Sequence, residues 1–525
     1  MTPAELLKWT LLAAAALAFA GIVISYAKGL RRSPRDMWLL FGYKFLEYSA
    51  YGAINPALML WLGKDVGLGD IKAGSVIAAW SIALSVVGMA AGALVDSIGI
   101  RKTMIVSVFF LLFSRIALAF ITHPVLAYVF ALLPFAVGLA IIGPLVSVAI
   151  KRYTTKEGAA MGFGFFYVVM NVAFAVGAYL FDKAREVFAA RDAVGNVINE
   201  NAGVILLGHH FSTYQIIFLW GLVAAAGSLV LAMFVRDGVE MDESGTVVIH
   251  PKPPRKHWLA VIKDAFTDTG SLIARTSSER FFWIYMTLLG TTLFVRFVFY
   301  HFHYTFPSYG TRVLGEGAKI GSIFGVLNPV LIIFLVPLVA WLTRKTSSYQ
   351  VMIWGSIVSS LACFIAAMPG KWFAGLTDTV WGDLIFIQWL GMAENRAALL
   401  AAPPHEAYWP LIVCILIFTI GEAIWSPRLM QFTAEIAPKG KEGTYIALSV
   451  LPYFMAKFFV GPLSGWLLHT YTPLDANDKP FAAYPDHTMI WVWIGGMAVI
   501  SPIGLVLFRK WFLKHAPVSA EPSVM

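Results

Sequence analysis

Charged residues are scarce in this chain. Of its 525 residues, 13% are charged and 59% are hydrophobic, whereas soluble domains have about 25% and about 45–50%, respectively. A membrane-spanning helix needs about 20 mostly apolar residues, so this length can hold about a dozen spans or more with little left for soluble domains. The composition excludes a water-soluble globular protein and predicts an all-α membrane protein.

Cysteines and common enzyme motifs are also few or absent. Cys363 and Cys414 lie in apolar runs without a CxxC pattern, so neither a disulfide framework nor a metal site is expected. The sequence lacks GxxxxGK[ST], HExxH and GxSxG motifs, which argues against ATP drive and against the usual hydrolase mechanisms. We expect no cofactor, no metal and no enzymatic activity. The alternatives from other classes are a membrane transferase that uses His301, His303 or His469, and a non-transporting receptor.

Thirteen apolar runs are each long enough to span a membrane. They cover residues 6–27, 37–62, 73–95, 103–122, 124–150, 159–181, 213–235, 281–306, 318–343, 349–368, 407–428, 443–469 and 487–508. We expect the first run to be an uncleaved anchor over residues 1–30, although Ala18-Phe19-Ala20 resembles the cleavage site of a signal peptide.

Basic residues indicate the orientation. The formal net charge is +9, from 39 Lys+Arg and 30 Asp+Glu, and cytoplasmic loops collect Lys and Arg, so the charge does not imply a nucleic-acid partner. The basic clusters of the short loops fall on one side if the anchor begins outside. They are Arg31, Arg32 and Arg35; Arg101 and Lys102; Lys151, Arg152 and Lys156; Arg344 and Lys345; Lys439 and Lys441; and Arg509, Lys510 and Lys514. We predict an extracytoplasmic N-terminus and a cytoplasmic C-terminus.

A polar stretch, residues 236–280, divides the core because it contains no spanning run. We predict an N-terminal six-helix half over residues 37–235, this cytoplasmic linker, a C-terminal half over residues 281–511 and a cytoplasmic tail over residues 512–525. Within the linker, residues 256–276 could form an amphipathic surface helix, and residues 381–389 of an outer loop could lie in the membrane interface.

An internal repeat supports the division. Lys156-Glu157-Gly158 recurs as Lys441-Glu442-Gly443, and Gly143-Pro144-Leu145 is echoed at nearly the same offset by Ser426-Pro427-Arg428-Leu429. Both copies enter the membrane from the same side, so the halves are expected to be parallel repeats. Such repeats are typical of carriers that work by alternating access.

The segment from Gly92 to Lys102, GALVDSIGIRK, resembles the loop between helices two and three of the major facilitator superfamily. The resemblance implies that superfamily's fold, two parallel six-helix halves, here with one extra N-terminal helix and about thirteen spans in all. It also implies that Asp96, Arg101 and Lys102 latch the halves in one gating state. The alternative is a turn whose positive charge only orients the loop.

Two stretches resemble the proton-dependent oligopeptide transporter family. Pro144-Leu145-Val146-Ser147 together with Phe165 to Asn171 is similar to its pattern across helices four and five, and GEAIWSP, from Gly421 to Pro427, to its helix-ten pattern. This resemblance implies that Glu422 binds the amino group of a substrate and takes part in proton coupling. The family's helix-one pattern is missing, since Glu47 stands where its arginine would be. Peptide selection by the family's usual residues is therefore not implied.

Ionisable residues inside a span usually face the bundle interior or an aqueous cavity. On the first core helix, Lys44, Glu47, Tyr48 and Tyr51 recur at helical spacing, which is compatible with one wall of a substrate cavity or with an internal Lys44–Glu47 pair. Burial disfavours a charged carboxyl, so Glu47 could carry a proton, or a lysine could hold it as a carboxylate.

The seventh core helix places Arg296, Tyr300 and His303 on one face at i, i+4 and i+7, with His301 beside them. A deep arginine binds carboxylates or phosphates in bidentate fashion, and histidines titrate near physiological pH. The alternative is that both histidines lie at the outer headgroup boundary within an aromatic belt.

These considerations define the candidate residues. Substrate binding is predicted for Lys44, Glu47, Tyr48, Tyr51, Asn171, Arg296, Tyr300, Asn328, Glu422, Trp425 and Lys457. Proton coupling is predicted for Glu47, Glu422, His301 and His303. Arg115 is expected to form a structural ion pair rather than a ligand contact.

The sequence predicts a secondary active transporter of the inner (plasma) membrane. Both charge signs near the midplane favour a small zwitterionic or anionic organic solute, such as a peptide or an amino-acid conjugate, moved together with protons. An efflux carrier for drugs or organic anions is the alternative within the same fold. We expect a monomer whose partners are the solute, protons and the lipid bilayer.

Overall fold

The computed structural model describes residues 2–250, 258–437, 445, 448, 451–476 and 479–515. Within these residues, eleven helices are long and apolar enough to cross a membrane, and Arg35–Lys64 and Leu451–Tyr471 are two further long helices. Together they make up the thirteen spans expected, and the all-α fold class is confirmed. The repeat copy at 441–443 and the basic residues Lys439 and Lys441 lie outside the described residues.

The long helices follow the two-half plan. The N-terminal half is preceded by α1 (Pro3–Gly29) and consists of α2 (Arg35–Lys64), α3 (Asp70–Ile98), α4 (Ile100–Phe120), α5 (Pro124–Tyr153), α6 (Lys156–Val187) and α7 (Thr213–Phe234). After the linker helix α8 (Trp258–Ser277), the C-terminal half consists of α9 (Arg280–Tyr304), α10 (Gly321–Leu342), α11 (Ser348–Ala366), α12 (Tyr408–Ile436), α13 (Leu451–Tyr471) and α14 (Met489–Leu507), with α15 (Arg509–His515) at its end.

Short elements fill the connections. Three antiparallel hairpins are formed by β1 (Ala190–Arg191) with β2 (Val197–Asn199), β3 (Val204–Leu206) with β4 (His209–Phe211), and β5 (Val239–Met241) with β6 (Val247–Ile249). Short helical turns occupy Phe306–Tyr309, Gly310–Leu314, Gly370–Asp378, Val380–Gly382, Asp383–Trp389 and Arg396–Ala401. Residues 381–389, for which an interfacial position is predicted, thus belong to short helices between α11 and α12.

Helix ends are set by local capping. The Thr2 hydroxyl accepts a hydrogen bond from the backbone of Glu5, whose carboxylate accepts one from the backbone of Thr2. Ser212 and Gln215 form the same reciprocal pair at the start of α7. Because these residues satisfy backbone N–H groups that have no partner within the helix, they fix where each span begins.

The helix expected at residues 256–276 corresponds to α8. It packs against α3, where the Thr269 hydroxyl donates to the Met89 carbonyl at 3.4 Å, and it buries Val261 and Ala265. The side of α8 that carries these residues contacts the N-terminal half.

The extra helix α1 contacts both halves. Near its C-terminal end, Tyr26 contacts Phe165 of α6, with 6.1 Å between the ring centres. Near its N-terminal end, Lys8 Nζ donates to Gln388 Oε1 at 3.1 Å, in the segment between α11 and α12. Its middle makes few contacts and keeps an apolar surface, as in Leu17, which is 76% exposed.

The two ends of the bundle differ in charge. We call the end with the connections 30–34, 154–155 and 344–347 the basic end, and the end with the connections 65–69, 188–212 and 305–320 the acidic end. At the acidic end α3 and α13 cross closely, because a Cβ on Gly74 would overlap the carbonyl oxygen of Gly461. Only glycine allows the two backbones to approach in this way.

Ion pairs between described residues of the two halves lie at the acidic end. Asp70 pairs with Arg312 at 2.7 Å, Lys64 with Glu316 at 2.8 Å, and Glu186 with Lys319 at 2.6 Å. In each pair one residue belongs to the N-terminal half and its partner to the segment 305–320 or its flank. This end is therefore closed by charge pairs as well as by backbone packing.

A buried carboxylate strengthens this closure. Asp182 of α6 accepts hydrogen bonds from the backbone N–H groups of Gly321, at 2.9 Å, and Ser322, at 2.6 Å. These are the first residues of α10, so a carboxylate of one half caps a helix of the other half, where its charge also complements the helix dipole. Arg185 bonds Asp182 at 3.3 Å and the Ala318 carbonyl at 2.7 Å.

Glu200, in the connection between α6 and α7, completes the network. It pairs with Arg185, and it accepts hydrogen bonds from Tyr214 at 2.7 Å and from the backbone of Gly317 at 3.0 Å. Burial alone would raise the pKa of Glu200, but Arg185 and Lys64 outweigh burial and lower this pKa to about 2. A lowered pKa gives stability that is lost only as the pH falls towards that value, so Glu200 keeps its charge between pH 5 and 8.

We expect Gly74→Val to open the acidic end, because the added side chain forces α3 away from α13. The measurement is the rate at which a maleimide labels a cysteine at Ser464, which is fully buried beside this crossing, in detergent-purified protein. Labelling should be at least threefold faster. The matched control is Gly92→Val on the same helix, since a Cβ on Gly92 has no neighbour within 4 Å. Equal labelling rates in the two variants would contradict the role of the crossing.

Candidate functional site

A polar cluster lies within the helices of the C-terminal half. Arg296 of α9 pairs with Glu422 of α12 at 3.4 Å, and Asn328 of α10 donates to the other Glu422 oxygen at 2.9 Å. Asn328 also donates to Thr419 at 3.0 Å. All of these side chains are buried, so three helices converge on one carboxylate that accepts both a charged and a neutral donor.

The sequence around Glu422 supplies the rest of the cluster. One turn further along α12, the Ser426 hydroxyl accepts from Arg296 Nη2 at 3.2 Å. The Arg296 guanidinium carbon lies 4.8 Å from the ring centre of Trp425 and 5.6 Å from that of Phe299. Stacking on aromatic faces holds the guanidinium in one orientation. Arginine and glutamate thus present opposite charges on a rigid support.

A second cluster joins the two halves around Lys457 of α13. Its Nζ lies 3.1 Å from the Tyr51 hydroxyl of α2. Three ring centres surround it, those of Trp80 at 5.2 Å, Tyr300 at 5.4 Å and Tyr51 at 5.6 Å. Tyr51 and Trp80 belong to the N-terminal half and Tyr300 to the C-terminal half, so an ammonium group is held in an aromatic cage formed by both halves.

Tyr304 of α9 makes another contact between the halves. Its hydroxyl donates to Asn55 of α2 at 3.2 Å, and its ring stacks on that of Tyr300, with 6.3 Å between the centres. Tyr300, one turn from Arg296, therefore links the arginine cluster to the lysine cage.

Lys44 lies in the N-terminal half and is fully buried. Its Nζ is 3.0 Å from the ring centre of Tyr48 and 4.4 Å from that of Phe166, and it has no hydrogen-bond partner among the described residues. The Lys44–Glu47 pair considered from the sequence is not formed. Lys44 and Tyr48 instead lie between α2 and α6, where the Lys44 side chain contacts aromatic rings.

The helical spacing predicts that Glu47 shares a site with Lys44, Tyr48 and Tyr51. This prediction is wrong for Glu47. Its carboxylate pairs with Arg115 of α4 at 2.6 Å, and Arg115 also donates to the Gly221 carbonyl of α7 at 2.7 Å. Neighbours in a helical pattern can point to different partners when three helices surround them. Arg115 forms the structural ion pair expected of it, and Glu47 is its counter-ion.

The two histidines differ in burial, because His303 is only partly buried. His301 is fully buried, and its Nδ1 pairs with the Thr305 hydroxyl at 2.7 Å. His303 Nδ1 donates to the Phe299 carbonyl at 2.9 Å. Both rings have a local hydrogen bond on their own helix.

Asn171 and the predicted latch also differ from the expectation. Asn171 donates to the Tyr167 carbonyl of its own helix at 2.8 Å. Asp96 pairs with Arg152 of α5 at 2.7 Å, and Arg152 lies 3.5 Å from Glu240 of the linker. In the part of the chain that the structure describes, Asp96 therefore pairs within its own half rather than across the halves, and Arg101 and Lys102 lie in the first turn of α4.

Several important residues were not among the candidates. Trp80 of the cage lies in the apolar run 73–95. The acidic-end residues Asp182, Arg185 and Glu200 lie at the end of a predicted span and in the loop that follows it. In the sequence, charged residues at the end of α6 and in the hairpins that follow it only weakly indicate a buried network. Among the described residues, no group of three metal-ligating side chains lies together.

A family model described as Major Facilitator Superfamily matches residues 40–395. The chain belongs to this superfamily. Its members are transporters, and the match covers the N-terminal half, the linker and the beginning of the C-terminal half. A search of curated proteins finds no match.

Solved structures of peptide transporters have the same fold as this superfamily member. A peptide transporter POT in complex with sulfate is 15% identical with a TM-score of 0.62, covering 91% of this chain and 95% of that one. A POT family transporter in complex with 5-aminolevulinic acid is 14% identical with a TM-score of 0.61, covering 91% and 97%. A structure described for substrate recognition in proton dependent oligopeptide transporters is 16% identical with a TM-score of 0.62, covering 91% and 99%. The predicted resemblance to that family is confirmed at the level of the fold.

We expect Glu47→Gln to destabilise the protein by about 3–5 kcal/mol, because it leaves the buried Arg115 without its counter-ion. The measurement is the free energy of unfolding in mixed micelles. Asp96→Asn is the control, since Asp96 is 64% exposed in its pair with Arg152 and such pairs contribute about 1 kcal/mol or less. Similar losses in both variants would show that Glu47 is not a structural residue.

Proposed function

We propose that this superfamily member is a proton-coupled carrier of the inner membrane that moves a small zwitterionic or anionic organic solute by alternating access. The single observation that carries the proposal is the buried Arg296–Glu422 pair with Asn328, beside the aromatic cage of Lys457. Charged side chains within the bilayer core are costly unless they bind a ligand or pair with one another.

Charge complementarity supports the solute class. Glu422 and Asn328 offer acceptor oxygens to an ammonium group, and Arg296 offers a planar donor fork to a carboxylate or phosphonate. A solute with both groups replaces the Arg296–Glu422 pair by two new ion pairs, so neither charge is left unpaired. Trp425, Tyr300 and Tyr51 supply aromatic surface for its apolar part.

The conformation is consistent with alternating access. With the basic end on the cytoplasmic side, as the distribution of Lys and Arg favours, the closed acidic end faces outwards. The ion pairs of Asp70 with Arg312 and of Lys64 with Glu316 then form an outer gate. Transport requires that this gate opens and that the basic end closes in turn.

The test is transport in proteoliposomes with a pH-sensitive dye inside. Dialanine, 5-aminolevulinic acid and a dicarboxylate are offered separately under an inward proton gradient. We expect proton entry that depends on at least one of the first two probes. Absence of probe-dependent proton entry and of probe exchange across this panel would overturn the proposal, and response to the dicarboxylate alone would overturn the role of Glu422 in binding an ammonium group.

We expect Glu422→Gln to raise the half-saturating concentration of the transported probe at least tenfold, because the neutral amide cannot form an ion pair with an ammonium group or with Arg296. The measurement is probe counterflow, which needs no net proton movement. Glu435→Gln is the matched control, because Glu435 lies on the same helix, where it bonds Ser348 at 2.7 Å, outside the cluster. Wild-type affinity in Glu422→Gln would contradict the assignment.

A further inference from the structure

Lys457 differs from the buried glutamates and arginines of the core in its partners. Among described residues it pairs with no carboxylate, and its ammonium group contacts one hydroxyl and three aromatic faces. The side chain belongs to a residue that is only 6% exposed. A lysine without a counter-ion is held by neutral groups alone, which tolerate the amine as well as the ammonium form.

The two candidate glutamates have fixed partners. Glu422 is held by Arg296 and Asn328, and Glu47 by Arg115 at 2.6 Å. An ion pair opposes protonation of its carboxylate, because protonation would leave the arginine unpaired. Both glutamates are therefore better suited to binding and to structure than to cyclic protonation.

The position of Lys457 connects its charge to the gate. Gly461, one helical turn further along α13, forms the close crossing with Gly74 of α3. Tyr51 and Trp80 belong to the opposite half, so a movement that separates α3 from α13 also removes these two aromatic walls. Lys457 then exchanges its cage for the cavity that opens, and its preference for a proton changes with the conformation.

We propose that Lys457 is the proton-carrying residue of this transporter, and this inference rests on the proposed function. The neutral amine takes up one proton from one side of the membrane to form the ammonium ion. After the halves rock, the same nitrogen releases that proton to the other side. No further reactant is needed, since one N–H bond forms and the same bond breaks.

The groups that face Lys457 define the competing explanations. Tyr51 faces it from α2, and Tyr300 and His303 face it from α9, where His303 interacts with it electrostatically. On α3 the sequence has no titratable residue between Lys72 and Asp96, and on α14 it has none between Met489 and Leu507. His303 is the imidazole that interacts with Lys457, and it must be tested separately.

The first test compares proton entry with probe exchange in proteoliposomes, using whichever of dialanine and 5-aminolevulinic acid the wild type transports. Lys457→Gln and Lys457→Arg should keep measurable probe exchange and lose at least tenfold in protons moved per probe. The amide cannot bind the proton, and the guanidinium does not release it. Wild-type proton-to-probe ratios in both variants would overturn the inference.

Lys44→Gln and His303→Gln are the matched controls. Lys44 is a second buried lysine against aromatic rings, but its contacts Tyr48 and Phe166 belong to its own half. Both variants should keep the wild-type ratio of protons to probe whatever their rates. Loss of coupling in His303→Gln with retention in Lys457→Gln would transfer the role to the histidine and reject the lysine.

A second measurement needs no solute. Spin labels at Val194 and Lys371, exposed residues in the acidic-end connections of opposite halves, report the opening of this end, and the native Cys363 and Cys414 are fully buried. The distance distribution should change between pH 5 and pH 9 in the wild type and stay constant in Lys457→Gln. A pH response that persists in Lys457→Gln would overturn the inference even if this variant no longer transports.

The two proposals fail in different ways. A wild type without probe-dependent flux rejects the proposed function, whatever the lysine variants do. A wild type that couples protons to the probe, with variants of Lys457 that do so equally well, rejects the inference and leaves the proposed function standing.

Discussion

The buried carboxylates that the structure describes in the core depend on partners supplied by other helices, because a bilayer provides no water to solvate them. Glu47 is held by Arg115, Glu422 by Arg296 and Asn328, and Asp182 by the first backbone amides of α10. These contacts cross between helices rather than run along one of them. The arrangement of the helices therefore follows from where the charges can be paired.

The paired charges serve different purposes according to their position. The Glu47–Arg115 pair joins two helices of the N-terminal half. The Asp70–Arg312 pair joins the halves and must break when the acidic end opens. The lysine cage also joins the halves. Opening the cage separates one ammonium group from neutral rings, whereas opening an ion pair leaves two opposite charges without partners. Ion pairs within a half, ion pairs between the halves and the aromatic cage of Lys457 are thus three distinct kinds of contact.

The differences between this chain and the peptide transporters are informative. Asn328 donates a hydrogen bond to Glu422 in the segment that resembles the family's helix-ten pattern, yet the first core helix has Glu47 in place of the arginine. Arg296 on α9 and Lys457 on α13 supply cations from the C-terminal half. At about 15% identity the two proteins share a fold. The fold does not determine which residues form the site in each of them.

The sequence by itself determined the number of spans, the division into halves and the rarity of charges within them, since length and hydropathy follow directly from the solvation of apolar residues. It also singled out Arg296, Glu422 and Lys457, because each lies within an apolar run. Only the tertiary structure decided the partners. Helical spacing placed Glu47 with Tyr51, whereas packing turned it towards Arg115, and the cage and the cap at Asp182 join residues far apart in the chain. Pairing across helices depends on their mutual arrangement, which periodicity along one helix does not encode.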